Sequence, residues 1–561
     1  LMPCVLPILS LKVLGLAQSG ESRQRARSHA LWYTLGVLLA FAAIGTLVIA
    51  LRAAGQAAGW GFQLQSPAVI AVLAVGGVLL RQPGQVLLTA GLGAAATATA
   101  AVRKGMSAAA SEVVGTISGA PKQTSSGAFL VRVRVPGRPS TTPVFTQELP
   151  PGAVNGAHVV ARGVAKESSV PGVNPFVLNG RVEVLGPPEG LAAFALHVRS
   201  TFAAAVEAKV GPASQGLIPG MVLGDVSLQS PAEQQMYIDT GLSHLSAVSG
   251  ANIAIVSTAA AVVAAAAGAG LRGKIAASAA ALLVYAGLVG PEPSVLRASV
   301  SGLVGLVAVL SSRQSEPIHA LCLSVIGLVL VDSDLAVHYG FALSVAATAG
   351  IVAVYPLLYQ AFAVTRWPDI LVRALAVAVA ADVATMPIVA MMAAEVSLVS
   401  VGANVVVAPV VGPVTVLGLS AAVLSLVPGG LETPVLWCVE PMAWWVHTVA
   451  RTGAGIPGAT VAATPLVALV VYGWVIAGVL AGRPRVTLCV TVACVAMFAA
   501  PGQPASIDPA GKRAHVVDTV EEVEPVPAGA ELVVVLEDGP ARTRPVATRE
   551  GIPVIFPNRE P

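Results

Sequence analysis

The chain has 561 residues, of which 55% are hydrophobic and only 11% charged, with a formal net charge of +3. Soluble globular chains carry about 25% charged residues, so a water-soluble body of this length is excluded. The 32 basic and 29 acidic side chains nearly cancel, so net charge gives no argument for nucleic-acid binding.

Residues 1–17 form an apolar stretch interrupted by Pro3 and Pro7, and a loop with Arg23, Arg25 and Arg27 follows. The run 30–51 has the roughly 20 residues needed to cross a hydrocarbon core. Residues 68–80 make a shorter run. The Ala-, Gly- and Thr-rich stretch 86–101 reads as a weak membrane segment or linker. The opening residue is Leu1, which reads as the start of a fragment.

The texture changes from about 103 to 213. Short alternating stretches replace the long apolar runs: FLVRVRV (129–135), HVVARGVA (158–165) and FVLNGRVEVL (176–185). Alternation bounded by Pro and Gly predicts half-exposed strands of a small soluble β-domain. Residues 103–209 hold 11 Lys and Arg against 6 Glu and no Asp.

Residues 241–500 read as a helical membrane domain. The expected spans are 252–271, 275–290, 294–312, 317–331, 340–362, 371–394, 397–427 (with a break at its prolines), 435–450, 463–482 and 486–500. Arg272 and Lys274, Arg313, and Arg366 with Arg373 mark alternate loops. Glu292, Asp332 with Asp334, and Glu395 mark the others. Basic loops stay cytoplasmic, so the end near Ala251, and the β-domain before it, faces the exterior. Residues 502–561 form a soluble tail in which AELVVVLEDG (530–539) reads as one buried strand.

The most informative stretch is GLSHLSAVSGANIAIV (241–256), with LIPGMVLGD (217–225) upstream. PSVLRASVSGLVGLVAVLSSR (293–313), YGFALSVAATAGI (339–351) and SLVSVGANVVVAPVVGPVTVLGL (397–419) follow in order. Over roughly 81–500 these blocks resemble the ComEC family of competence channels. The resemblance implies an OB-like domain ahead of a membrane channel that takes up single-stranded DNA during natural transformation. It also implies an inner-membrane location, a DNA-receptor protein and an ATP-driven helicase-like motor as partners. No P-loop pattern occurs in the chain itself. The expected fold class is mainly α: a polytopic helical membrane protein with an inserted small OB-like β-domain and a short soluble C-terminal tail.

Each block sets polar or small residues beside a span, and ionisable groups within a bilayer normally face protein or a water-filled path. From the charge-derived orientation, His244, Ser249, Asn252, Ser294, Arg297, Ser344 and Asn404 converge at the outer face as lining of a pore vestibule. Arg297, whose fork suits bidentate contact, is the candidate to meet phosphate. Competing readings stand beside these. His244 serves a helix contact, Arg297 snorkels to headgroups, and Ser249, Gly250, Gly340 and Ser344 allow close packing. Asp382, near the middle of its span, lines the pore, serves a proton-linked role, or is a neutral hydrogen-bonded carboxyl. In the β-domain, Arg132, Arg134, Arg138 and Arg162 with Phe129 and Phe176 could grip single strands, or form a solvated basic face.

Many members of that family end in a metallo-β-lactamase-like domain, which needs a metal cluster to activate water. After residue 500 the chain has one histidine, His515, so no nuclease, metal or cofactor is expected, and the chain is not expected to be an enzyme. The N-terminal stretches PCVLPILSLKVLGLA (3–17) and 29–70 resemble the membrane domain of DsbD-type thiol:disulfide interchange proteins. Cys4 matches the first redox cysteine there, yet the next cysteine is Cys322, and thiol exchange needs two partners. A partial DsbD-like segment over 1–80, a weak segment 81–102, a β-domain 103–213, a channel domain 214–500 and a tail 501–561 are thus expected. Transmembrane thiol:disulfide interchange and small-molecule transport stand as alternative functions.

Overall fold

The computed structural model describes residues 83–480, apart from 108, 125–127, 169–173, 311–316, 365–366 and 457. It also describes short segments between 486 and 555. Cys4 and the expected spans 1–17, 30–51 and 68–80 lie outside the described residues, as do Arg313, Arg366 and most of 486–500.

The first described element is α1 (Pro83–Gly105). The barrel strands are β1 (Glu112–Ile117), β2 (Lys122–Gln123), β3 (Phe129–Arg134), β4 (Thr141–Thr146), β5 (His158–Glu167) and β6 (Phe176–Gly186). Successive strand side chains point to opposite faces, so Val131 and Val133 enter the core while Arg132 and Arg134 leave it. With Val113, Ile117, Val144, Val159, Leu178 and Val182 they fill the interior. β1 pairs with both β5 and β3, which closes the sheet into the ring β1-β5-β6-β4-β3. The β4–β6 pairing is parallel.

The strands end at Gly186, and the rest of the stretch read as β-domain is helical. A helix α2 (Gly190–Lys209) follows Pro187 and Pro188, and buries Val198, Phe202 and Val206. Then come α3 (Pro212–Gln215), α4 (Leu217–Leu223) and α5 (Pro231–Asp239). At α5, Ser230 Oγ accepts from Glu233 N while Glu233 Oε2 accepts from Ser230 N, with Pro231 in the first turn. This reciprocal cap satisfies two orphan donors. All of α4 is buried, and the core of α2 and α4 is continuous with that of the long helices.

The long helices are α6 (Gly250–Ala266), α7 (Leu271–Val289), α8 (Pro293–Leu310), α9 (Pro317–Val331), α10 (Tyr339–Ala363), α11 (Asp369–Ala393), α12 (Ser400–Leu424), α13 (Thr433–Ala454) and α14 (Pro465–Leu480). Among the described residues, six helical segments are long and apolar enough to cross a membrane. Their outer faces carry Val262, Val263, Leu283 and Val307, all exposed. Exposed apolar surface on this scale suits lipid rather than water. The chain is a multi-pass helical membrane protein with an inserted β-domain.

One expectation is corrected. The run 397–427 does not break, because α12 is continuous through Pro409 and Pro413. Proline removes a helical hydrogen bond, yet the helix keeps Val407, Val414, Thr415, Ala421 and Ala422 buried on its packed face, and Trp445 Nε1 of α13 donates to Val406 O at 3.2 Å.

The barrel sits at the end of the bundle that carries the acidic loops. Arg132 Nη1 is 3.4 Å from His338 Nε2, just before α10. Arg103, in the last turn of α1, donates to Leu330 O and Ser333 Oγ beside α9. Arg199 of α2 donates to Val289 O at the end of α7. In the tail, β7 (Ala514–Val517), β8 (Leu532–Val535), β9 (Val546–Ala547) and β10 (Pro553–Ile555) form one sheet, with β8 buried between β7 and β10.

Candidate functional site

The polar residues gather on both sides of one segment, residues 241–252, which leads through a short 3-10 turn (Ser243–Leu245) into α6. A helix of apolar residues leaves its first N–H groups without partners, so the chain must supply polar groups where α6 begins. Asn252 is buried at 4% exposure, and its Nδ2 donates to Met221 O at 2.8 Å. Its Oδ1 accepts from Ser249 Oγ at 3.3 Å and lies 3.4 Å from Thr415 Oγ1 of α12. Tyr285 of α7 donates to Val222 O at 2.7 Å. Two carbonyls of α4 are thereby taken up by two long helices.

On one side of this segment stand α8 and α10. Ser294 Oγ donates to Val248 O at 3.0 Å. Arg297, one turn further along α8, is 5% exposed, and its Nε donates to Ser344 Oγ of α10 at 2.8 Å. Its guanidinium lies against Gly250: a Cβ built there would stand 2.8 Å from Arg297 Nη2. A side chain at 250 would have to displace the end of the Arg297 side chain.

On the other side stand α11, α12 and α14. Asp382 is 7% exposed, and its carboxylate accepts from Ser400 Oγ at 3.0 Å and from Tyr472 OH at 2.7 Å. Asn404 Nδ2 donates to Ser400 O at 2.9 Å and lies 3.5 Å from Gly241 O. The same carbonyl is 3.1 Å from Nδ1 of His244, whose side chain is exposed. Gly241 holds φ +68, and a Cβ there would meet Ser400 Oγ at 2.4 Å. Left-handed backbone and lack of space together require glycine. A continuous polar chain therefore runs from His244 through Gly241, Asn404, Ser400 and Asp382 to Tyr472.

His244, Ser249, Asn252, Ser294, Arg297, Ser344, Asp382 and Asn404 thus all touch this segment or its immediate partners. Several partners were not singled out from sequence: Tyr285, Ser400, Thr415 and Tyr472. A signal was present for the tyrosines, since a hydroxyl within an apolar helix needs an acceptor. The described groups bond to one another. A shallow, open hollow of about 530 Å³ is lined by Ala254, Ile255, Thr258, Ala259, Val262, Val263 and Val416 on the apolar face of α6, and includes none of the polar chain's residues.

The barrel candidates are not gathered into one stripe. Arg162 lies between two carboxylates, 3.4 Å from Glu112 and 3.5 Å from Glu183. Arg132 Nη1 stands 3.4 Å from His338 Nε2 where the barrel meets the bundle. Arg134 is exposed and Arg138 half-buried; Phe129 on β3 and Phe176 on β6 are half-buried, with β4 between their strands. His338 Nδ1 accepts from Gly340 N at 3.1 Å. Burial, then Arg132 and Lys122, push the His338 imidazole down to about 4. Among the described residues no group of three or more His, Cys, Asp or Glu side chains could hold a metal ion.

Comparison with known proteins gives one match. Residues 221–485 match the model of the family described as Competence protein. No curated protein and no solved structure matches the chain. The matched region holds all eight membrane-domain candidates and supports a role in competence. It does not reach the barrel or residues 1–80, and the likeness of 1–80 to thiol:disulfide interchange proteins gains no support.

Proposed function

We propose that the chain is a plasma-membrane conduit for uptake of single-stranded DNA in competence, and that the strand enters the bundle beside residues 241–252. The observation that carries this reading is the convergence of separated sequence blocks on that segment, within the region that matches the Competence protein family. Charged and amide groups within a bilayer are costly unless partnered. A strand with one phosphate per nucleotide needs such groups along its path, and these are the ones assembled at the barrel end of the bundle.

The groups are latched to one another: Arg297 to Ser344, Asn252 to Met221, Asp382 to Ser400 and Tyr472. In this reading the latched arrangement is the resting one. Passage exchanges the Arg297 and Asn404 contacts for contacts with phosphate and sugar, which carry no sequence preference. The chain supplies a route, and force comes from an ATP-driven motor; a receptor delivers the strand outside. The barrel's ring order, with one parallel pairing, suits an OB-like strand grip. The acidic loops around its docking point fit an exterior position under the positive-inside rule.

The test is deletion of the gene in a transformable host, with labelled DNA followed into the cytoplasm. Loss of cytoplasmic label with surface binding retained supports the reading. Unchanged uptake rejects it, and flux of a small solute into vesicles without DNA would point to a transporter instead.

A further inference from the structure

We propose that Arg297 and the open N-terminus of α6 form a binding site for a single phosphate group. The proposal rests on the conduit reading for its biological setting but not for its physics.

The argument is one of unbalanced charge. The Arg297 side chain is 95% removed from solvent, yet its one hydrogen bond among the described residues runs from Nε to a neutral hydroxyl, Ser344 Oγ. No carboxylate pairs with it among the described residues. The acidic residue nearest in sequence, Glu292, acts on Arg199 instead. The Nη edge is the part left over, and it faces Gly250, the first residue of α6.

That end of α6 is itself positive. A helix N-terminus carries roughly half an elementary charge from its unpartnered N–H groups, and α6 is 17 residues long. No side chain caps it, because Ser249 Oγ donates to Asn252 Oδ1 rather than accepting from the first turn. A buried guanidinium thus faces the start of α6, with no carboxylate paired to it among the described residues. Such an arrangement is costly when empty and favourable around an anion, because helix N–H groups and an arginine fork together suit a phosphate oxygen set.

Gly250 is what brings the two parts together. Its missing side chain lets Nη2 approach the backbone of α6, and a methyl at that position would wedge them apart.

The experiment uses the purified full chain in detergent, with inorganic phosphate as the probe and chloride replaced at constant ionic strength. Thermal unfolding is followed for wild type, Arg297→Gln, Arg297→Lys and Gly250→Ala. The expected result is a saturable rise of roughly 2 °C or more for wild type. Arg297→Gln is expected to abolish the rise, Arg297→Lys to weaken it, and Gly250→Ala to reduce it with the charge still present. A wild-type response no larger for phosphate than for chloride overturns the proposal without reference to any variant. An undiminished response in Arg297→Gln overturns it too. Competition by a twelve-residue single strand of thymidine, or by phosphatidylglycerol in mixed micelles, identifies the source of the phosphate, and either supports the site. Loss of DNA uptake in Arg297→Gln without any phosphate effect in wild type rejects this site while leaving the conduit reading in place. Phosphate binding by wild type with normal uptake in Arg297→Gln keeps the site and removes Arg297 from the strand path.

Discussion

Arg297 Nε donates to Ser344 Oγ at 2.8 Å across 47 positions of chain, and this bond joins two of the sequence blocks at the barrel end of the bundle. Hydrogen bonds to charged groups contribute about 1.5–3 kcal/mol, so the pair both holds α8 to α10 and keeps the cation aimed at α6. Arg297→Ala at normal membrane abundance is expected to lower transformation at least roughly tenfold, the factor that about 1.4 kcal/mol supplies. Ser344→Ala keeps the charge and is expected to lower it less. Transformation counts against immunoblotted membrane protein measure both.

Asp382 accepts from donors on two other helices, Ser400 and Tyr472. Asp382→Ala leaves two buried donors without an acceptor and is expected to cost about 1–3 kcal/mol for each. Asp382→Asn keeps one acceptor and costs less. Tyr472→Phe alone is expected to cost about 1 kcal/mol. The double variant Asp382→Ala with Tyr472→Phe is expected to be less destabilised than the sum, because the second change removes a stranded donor. Denaturation midpoints of the four proteins in detergent check this, and simple additivity would separate the two side chains.

His338 caps α10 through Nδ1 and faces Arg132 through Nε2, so it accepts one bond only while neutral. Its folded pKa, about 4, lies below the ordinary value of 6.5. The unfolded or undocked chain therefore takes up the proton first as pH falls. The docking contribution is whole above about pH 6.5 and is lost between there and pH 4. Barrel release, followed by protease access to the stretch 187–189, is expected to rise over that window. His338→Gln is expected to flatten the dependence.

The barrel arginines are expected to differ in kind. Arg162 is already held by Glu112 and Glu183, so Arg162→Ala changes single-strand affinity little. Arg134 is exposed, and Arg134→Ala is expected to weaken binding uniformly across sequences. It should also make the salt slope shallower by about 0.7, as loss of one phosphate contact on a single strand requires. Titrations of a labelled oligonucleotide at three salt concentrations separate the two variants.

The bundle was readable because about 20 apolar residues are needed to cross a bilayer, and of the helices α6 through α12 all but the shorter α9 lie in segments that meet that length. The strands at 129–134, 158–167 and 176–186 were readable from alternation. The helices between 190 and 239 were not read, although Ser230, Pro231 and Glu233 spell a capping box. Their apolar faces pack into the bundle core, so they lack the long run of a span and the alternation of a strand. Loop charges place Arg297, Ser344 and Asn404 at one face of the membrane, but not which groups they bond to there. That Asp382 meets Tyr472, 90 residues away, could not be read, because partner choice within a bundle depends on helix rotation. Nor could the pairing of Arg162 with Glu112 and Glu183, which depends on strand register around the closed ring.

The most direct test of the conduit arrests labelled DNA during uptake in cells whose protein carries a photoreactive benzophenone side chain in place of Ser344, Asn404 or Val263. Ser344 and Asn404 belong to the polar cluster, whereas Val263 is exposed on the apolar face of α6. The expected result is a light-dependent DNA adduct at 344 and 404 and none at 263. Adducts at 263 alone, or none at 344 and 404 while uptake proceeds normally, would contradict a strand path beside residues 241–252.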